Sequence, residues 1–227
     1  MLYLVPTPIG NLGDMSHRAV EILKSVDYVL AEDTRKTQIL LRHYDIDART
    51  ISFHQHNERK KLDAVVTHLQ EGREIAIVSD AGTPGISDPG FSLVRACVQH
   101  DLPVTSLPGP NALITALVAS GRPSDRFYFA GFLPHKKGRN KKWEDIADRK
   151  ETVIAYESPY RIEKFMREAV RYVGEDRPAC IARELTKIHE EYLRGTVSEL
   201  LEILEKRENI KGEITIIMAG SEYQMPE

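Results

Sequence analysis

The chain has 227 residues, and its 31 Lys and Arg against 34 Asp and Glu leave a formal net charge of −3. No global field therefore draws it to nucleic acid, and any such contact has to come from a local basic surface. With 41% hydrophobic and 29% charged residues the composition is that of a globular protein, long enough for two domains of about 110 residues each.

In chain order, the N-terminal MLYLVPTPIGN has no basic stretch before its apolar run and does not read as a secretion signal. Strands are predicted over Leu2–Thr7, Tyr28–Glu32, Thr50–His54, Glu74–Asp80 and Val104–Pro108. Between them the apolar spacing predicts helices over Arg18–Ser25, Thr34–His43, Glu58–Glu71, Phe91–His100 and Asn111–Ala119. Alternation of this kind builds a mainly parallel sheet with helices on both faces. The longest uncharged stretch, Leu107 to Gly121, is interrupted by Pro108, Gly109 and Pro110. It is shorter than the about 20 apolar residues that cross a bilayer, so no membrane association is expected. The turn-rich SGRPSD at 120–125 is expected to join the domains, giving 1–120 and 121–227.

In the second half, strands are predicted over Phe127–Leu133, Thr152–Ser158, Ala179–Arg183, Glu190–Gly195 and Glu213–Ala219. Helices fit Lys142–Ala147, Arg161–Val173 and Ser198–Arg207. Several of these strands follow one another without a helix, so the second sheet should be mixed. The expected fold class is α/β, in two α/β domains. Cys97 and Cys180 lie in apolar segments without CxxC spacing, which suits a reduced, cytoplasmic protein.

Two glycine loops each follow a strand and open a helix: SDAGTPGISDPG at 79–90 and LPGPNAL at 107–113. In the first, Asp88 followed by Pro89 has the form of a helix start, a capping carboxylate and then proline at the first helical position. Together with PTPIGN at 6–11 these loops lie at the carboxyl ends of strands, where open α/β sheets bind ligands. A phosphate cradle wants lysine or arginine, yet 74–94 has neither and 108–121 has no charge at all. That chemistry suits a cationic or neutral ligand, and a sulfonium methyl donor fits it. The GxGxxG of a dinucleotide site is absent.

VPTPIGNLGD, AEDTRKT, SDAGTPGISDPG and LPGPNALITAL, followed by FAGFLP, YESPYRI, ARELTKIHEE and KGEITI, resemble the ribosomal RNA small subunit methyltransferase I family over nearly the whole chain. The resemblance implies the tetrapyrrole-methylase fold, with S-adenosylmethionine bound between two α/β domains. It also implies 2′-O-methylation of a cytidine ribose in small-subunit ribosomal RNA, by a homodimer acting on the RNA or on the assembled subunit. By position in the matching motifs it implies a donor site of Ile9, Asp80, Ala81, Gly82, Pro84, Ile86, Asn111 and Ala112. Glu157, Leu185 and Thr215 join it from the second domain.

The basic run HKKGRNKKW at 135–143 offers Lys136, Lys137, Arg139, Lys141 and Lys142 to RNA phosphates; equally, it can be a solvated loop. His54 and Asn57, in HQHNERKK, and Arg183 are further candidates for RNA contact. His54 and His56 share a strand face but lack a third ligand at the right spacing, so no metal is expected. For methyl transfer, Asp33 or Glu184 is expected to accept or orient the ribose hydroxyl, with Arg35 and Lys187 holding flanking phosphates, unless proximity alone suffices. The competing readings are a methyltransferase for a tetrapyrrole precursor, a non-catalytic RNA-binding module, and a nucleotide hydrolase. The missing phosphate-loop lysine disfavours the last.

Overall fold

Every strand predicted in the first half forms in the computed structural model, which describes residues 1–224. β1 (Leu2–Leu4), β2 (Tyr28–Ala31), β3 (Thr50–Ser52), β4 (Ile75–Val78) and β5 (Val104–Ser106) alternate with α1 (His17–Ser25), α2 (Thr34–His43), α3 (Glu58–Gln70) and α4 (Phe91–Gln99). β2 and β4 are buried throughout, as expected of parallel strands covered on both faces. The sheet is parallel in the order β3-β2-β4-β1-β5. Leu2, Leu4, Leu30, Ile75 and Ile77 pack on one face with α3 and α4, and Val5, Val29, Ala31, Ala76 and Val78 on the other with α1 and α2.

The second half begins with α5 (Ala112–Ser120). It continues through β6 (Phe127–Phe132), α6 (Arg139–Asp148), β7 (Thr152–Glu157) and α7 (Ile162–Val173) to β8 (Pro178–Arg183), β9 (Glu191–Thr196), α8 (Val197–Glu205) and β10 (Ile214–Met218). The sheet order is β6-β7-β10-β8-β9, with β6 and β7 parallel and the remaining pairs antiparallel; it is mixed, as expected. α7 buries Ile162, Phe165, Met166 and Ala169, the spacing of one helical face, against a core shared with α6 and α8. A capping box, with Thr196 and Glu199 exchanging bonds, starts α8.

The two compact units are Met1–Asn111 and Ala112–Glu227, so the division falls nine residues before the expected one. The reason is α5, which packs against β7, β8 and β10 and buries Leu113, Ala116 and Leu117. SGRPSD joins this helix to β6 rather than one unit to the other. Two local expectations also differ. α4 starts at Phe91, after Gly90 with φ +134°, so Asp88 does not cap it. α6 starts at Arg139, three residues earlier than predicted, because Arg139 and Trp143 face the core.

Candidate functional site

In the first unit the strand order sets β1 between β4 and β5, so the loops that follow these three strands are neighbours on one rim. Backbone bonds of 2.9 Å run both ways between Thr7 and Gly82, and the Thr7 hydroxyl donates to the Ser79 carbonyl at 3.1 Å. Thr83 Oγ1 donates to the Pro110 carbonyl and accepts from Asn111 Nδ2, each at 3.1 Å. The loops touch too closely for a side chain at Gly109, and at Gly82 the backbone takes a left-handed conformation that side chains rarely adopt. A Cβ on Gly82, whose φ is +80°, would stand 3.4 Å from Ile9 Cγ2, and one on Gly109 would stand 2.7 Å from Pro6 Cβ. Ile9, Gly82 and Pro84 are buried, Asp80, Ala81, Asn111 and Ala112 are partly covered, and Ile86 is exposed. All eight first-half donor candidates thus lie on this rim or, for Ala112, directly after it. A concavity of about 170 Å³, lined by Thr7, Pro8, Gly10, Lys36, Ser79 and Asp80 among others, opens beside these loops. Alone it is smaller than the about 300 Å³ at which small-molecule pockets begin.

The neighbouring stretch of the rim, after β2 and β3, is charged. Asp33 caps α2, accepting from the Arg35 amide at 2.9 Å and pairing with the Arg35 guanidinium at 2.7 Å. These bonds hold its carboxyl at about 2. Asp80 accepts from the Asp33 amide at 3.0 Å and from Lys36 Nζ at 2.6 Å, tying the glycine loop to the start of α2. Burial, and then the Asp80 charge, push Glu32 up. Asp88, released from capping, is pushed up to about 7 by burial and then by the nearby Glu32, against a bond from Ser79. Asn57 is spent on its own turn: its Oδ1 accepts from the His54 amide at 2.9 Å and its Nδ2 reaches Ser52 Oγ and His54 Nε2, both at 3.1 Å. Neither His54 nor Asn57 is a freely presented RNA contact. Among the described residues no three His, Cys, Asp or Glu side chains are placed to share a metal ion.

In the second unit, Glu157 ends β7 with its side chain fully buried. Its Oε1 accepts from the Ser158 amide and from Arg161 Nε, both at 2.8 Å, while Arg139 stands 3.9 Å from Oε2. Arg139 also bonds Glu168 at 2.7 Å and the Pro134 carbonyl at 3.0 Å. Burial raises Glu168, but bonds from Arg139 and Trp143 bring it below its ordinary range. Arg139 therefore departs from its expected role. It is a buried structural cation, not a phosphate contact. Lys142 is drawn in as well, bonding the Tyr128 hydroxyl and lying 4.6 Å over its ring, whereas Lys136, Lys137 and Lys141 remain exposed.

Thr215 and Leu185 are buried. In register Thr215 opposes Tyr156, and Glu157 opposes Ile214, so Thr215 and Glu157 point to opposite faces of the sheet. Glu184, at φ +52°, accepts from Lys187 Nζ at 2.8 Å and from the Glu213 amide at 3.0 Å, and the lysine lowers its proton affinity. Arg183 and Arg207 both engage Glu191, whose carboxyl falls to about 2, chiefly through Arg207.

The tetrapyrrole (corrin/porphyrin) methylase model matches residues 1–201. The chain is 48% identical over 219 residues to ribosomal RNA small subunit methyltransferase I of Hydrogenobaculum sp., covering 96% of this chain and 95% of that one. It is 49% identical to the protein of the same name from Escherichia coli O157:H7, over 98% of this chain and 79% of the other. The chain belongs to the ribosomal RNA small subunit methyltransferase I family. Uroporphyrin-III C-methyl transferase from Thermus thermophilus, solved in complex with S-adenyl homocysteine, superposes with a TM-score of 0.65 at 16% identity, covering 95% and 96% of the two chains. That likeness shows the shared fold of these methylases.

Proposed function

We propose that this protein uses S-adenosylmethionine to methylate small-subunit ribosomal RNA, at the 2′-hydroxyl of a cytidine. Near-full-length identity of 48–49% to proteins named for methylation of that RNA carries the reading. The rim supports the donor. Its glycine loops place backbone where a Cβ would collide, and 81–87 and 107–113 contain no charge, which suits a ligand that is itself cationic. When bound, S-adenosylmethionine supplies an electrophilic methyl group. Ile9, Ala81, Gly82, Pro84 and Asn111 would hold it, with Ile86, Ala112, Glu157, Leu185 and Thr215 the remaining candidates. Asp80, paired with Lys36, and Asp88 are the carboxylates that flank the first of those loops in sequence.

On the acceptor side, Asp33–Arg35 and Glu184–Lys187 are ion pairs, so each candidate for the hydroxyl comes with its candidate for a phosphate. A carboxylate held at about 2 is a weak proton acceptor at neutral pH. Asp33 therefore acts by orienting the hydroxyl, and alignment carries more of the rate than base strength. The protein works in the cytoplasm as a homodimer, on ribosomal RNA or the assembled subunit. Among the described residues no helix is long and apolar enough to cross a membrane.

The test is methyl transfer from tritiated donor to isolated small subunits, followed by alkaline hydrolysis of the RNA. A 2′-O-methyl group blocks cleavage of the adjoining phosphodiester, so label should persist in an alkali-resistant dinucleotide. Label in a mononucleotide would refute the ribose site, and label only in a porphyrin-type acceptor would refute the RNA substrate. Asp33→Asn, Arg35→Ala, Glu184→Gln and Lys187→Ala at saturating donor then test the acceptor side. Four wild-type single-turnover rates would remove it from these residues.

A further inference from the structure

An aromatic strip runs along the open edge of the second sheet, beside its basic loop. β6 is an edge strand. Its register against β7 shifts between Phe129 and Gly131, where Gly131 takes φ +64°. Strict alternation would send Phe129 and Phe132 to opposite faces; the bulge brings both to the face of Tyr156. Their ring centroids lie 5.1 and 5.5 Å from that of Tyr156. Phe132 is 55% exposed, and Tyr160, in the turn just after β7, is 94% exposed. α5 covers β7, β8 and β10 but leaves Phe132 open.

Charge says what such a surface takes. Residues 132–142 hold five Lys and Arg and no acid, and three of the five, Lys136, Lys137 and Lys141, are exposed. The loop that follows Phe132 is held in place: Leu133 is buried, Arg139 binds the Pro134 carbonyl, and Arg161 reaches the His135 ring at 2.6 Å. Lys136 and Lys137 are exposed on this loop, four and five residues from Phe132. The only acid of 157–161 is Glu157, which is buried and paired.

We infer that Phe132 and Tyr160, with Phe129 and Tyr156 behind them and Lys136 and Lys137 alongside, form a stacking platform for unpaired bases of single-stranded RNA. Exposed rings beside lysines read bases by their faces and backbone by its charge. A duplex, whose bases are already stacked, gains only the lysines. The inference rests on the protein's acting on ribosomal RNA and names the form of RNA that this unit grips.

The test uses the full-length chain and a fluorescent, unstructured oligoribonucleotide of about ten nucleotides, a span one single-strand site can cover. Its blunt duplex serves as the second probe. Phe132→Leu and Tyr160→Leu keep an apolar side chain and remove the ring. Each should weaken single-strand binding about tenfold, within the range seen for loss of one stacked base, and leave the salt slope unchanged. Lys136→Gln with Lys137→Gln should lower the slope by about 1.4, or ~0.7 per phosphate contact. Duplex binding should be indifferent to the leucine variants. Thermal stabilisation by S-adenosylmethionine should be unchanged in all of them, which also shows that they are folded. The inference is overturned if the leucine variants bind single strands normally, if they lose duplex binding equally, or if they change the sedimenting mass, which would make the strip a contact between copies. These arms do not depend on turnover. Failure to label ribosomal RNA would sink the proposed function, while normal single-strand binding by the leucine variants would sink only the platform.

Discussion

Gly109→Ala tests whether the zipped glycine loops set the donor site or merely close the sheet. The new methyl carbon would stand 2.7 Å from Pro6 Cβ and 3.0 Å from Pro6 Cγ, against about 3.5–4.0 Å for carbons in contact. One loop must retreat by roughly 1 Å. Pro6 cannot, because Thr7 is bonded twice to Gly82 and once to Ser79. The movement falls on 108–111 and opens the 3.1 Å bond from Thr83 to the Pro110 carbonyl. Overpacking costs about 1–3 kcal/mol and the lost bond about 1 kcal/mol, so stability should fall by about 2–4 kcal/mol. At 2–4 °C per kcal/mol for a chain of this size, melting should drop by roughly 10 °C. Donor affinity should fall at least about tenfold, since a 1 Å displacement lies beyond the tolerance of a preorganised site. Calorimetric titration with S-adenosylhomocysteine reads the affinity, with Gly85→Ala as control. That glycine lies in the first glycine loop with nothing within 4 Å of its would-be Cβ, so only its φ of +85° penalises the methyl group. It should lose about 1 kcal/mol of stability without displacing a loop, and keep its donor affinity. A variant that melts early but binds like wild type would show the loop pair to be packing alone, and the donor site would have to be sought elsewhere.

Three further outcomes follow from the same geometry. Asp88 has a raised proton affinity in the folded state, so its favourable contribution is complete below its ordinary value of 3.8 and is lost as pH rises through about 7. Screening of this half-buried group leaves about 2 kcal/mol, so Asp88→Asn should gain melting temperature on wild type between pH 5 and 8, and parallel melting curves across that range would refute it. Arg139→Gln should cost about 1–3 kcal/mol, because Glu168 loses its nearest cation and buried Glu157 is left with Arg161 alone, whereas Lys141→Gln should leave melting unchanged; equal effects in thermal denaturation would contradict the burial. Gly82→Leu should abolish thermal stabilisation by the donor, because the position combines φ +80° with contact to Ile9, and normal stabilisation would misplace the site.

Much of this was legible in the residues. Thr34–His43 matches α2 at both ends because Asp33 is a strong cap and the apolar spacing behind it is regular. Asp88–Pro89 has the same form and failed, since Gly90 turns the chain before the helix can begin. HKKGRNKKW reads as a solvated run because nothing local reveals that Glu157 and Glu168 stand behind Arg139. Those carboxylates come from other elements, and only the fold brings them together. The aromatic strip was hidden for a related reason: Phe129 and Phe132 fall out of phase by alternation, and a bulge restores them. The glycine loops were legible as a rim because the position of a loop after a parallel strand follows from chain order alone.

The strand order also bears on the chemistry. Read across β3-β2-β4-β1-β5, the rim passes from charged side chains after β2 and β3 to turns rich in proline and glycine after β1 and β5. β4 sits at the boundary, and its loop belongs to both sides: Gly82 is zipped to Thr7, while Asp80 is held by the Asp33 amide and Lys36. The proposed reaction needs such a boundary. Its donor is cationic and loses that charge as the methyl leaves, so its surroundings must not stabilise the cation too strongly. Its acceptor belongs to a polyanion and needs fixed charge to hold it. A full carboxylate against the donor would stabilise the ground state more than the transition state and slow transfer. Asp80 is the carboxylate at that boundary, and Lys36 already neutralises it at 2.6 Å. Lys36→Ala should therefore tighten donor binding while lowering the rate at saturating donor. A variant with both constants unchanged would show that Lys36 holds the loop without tempering its charge.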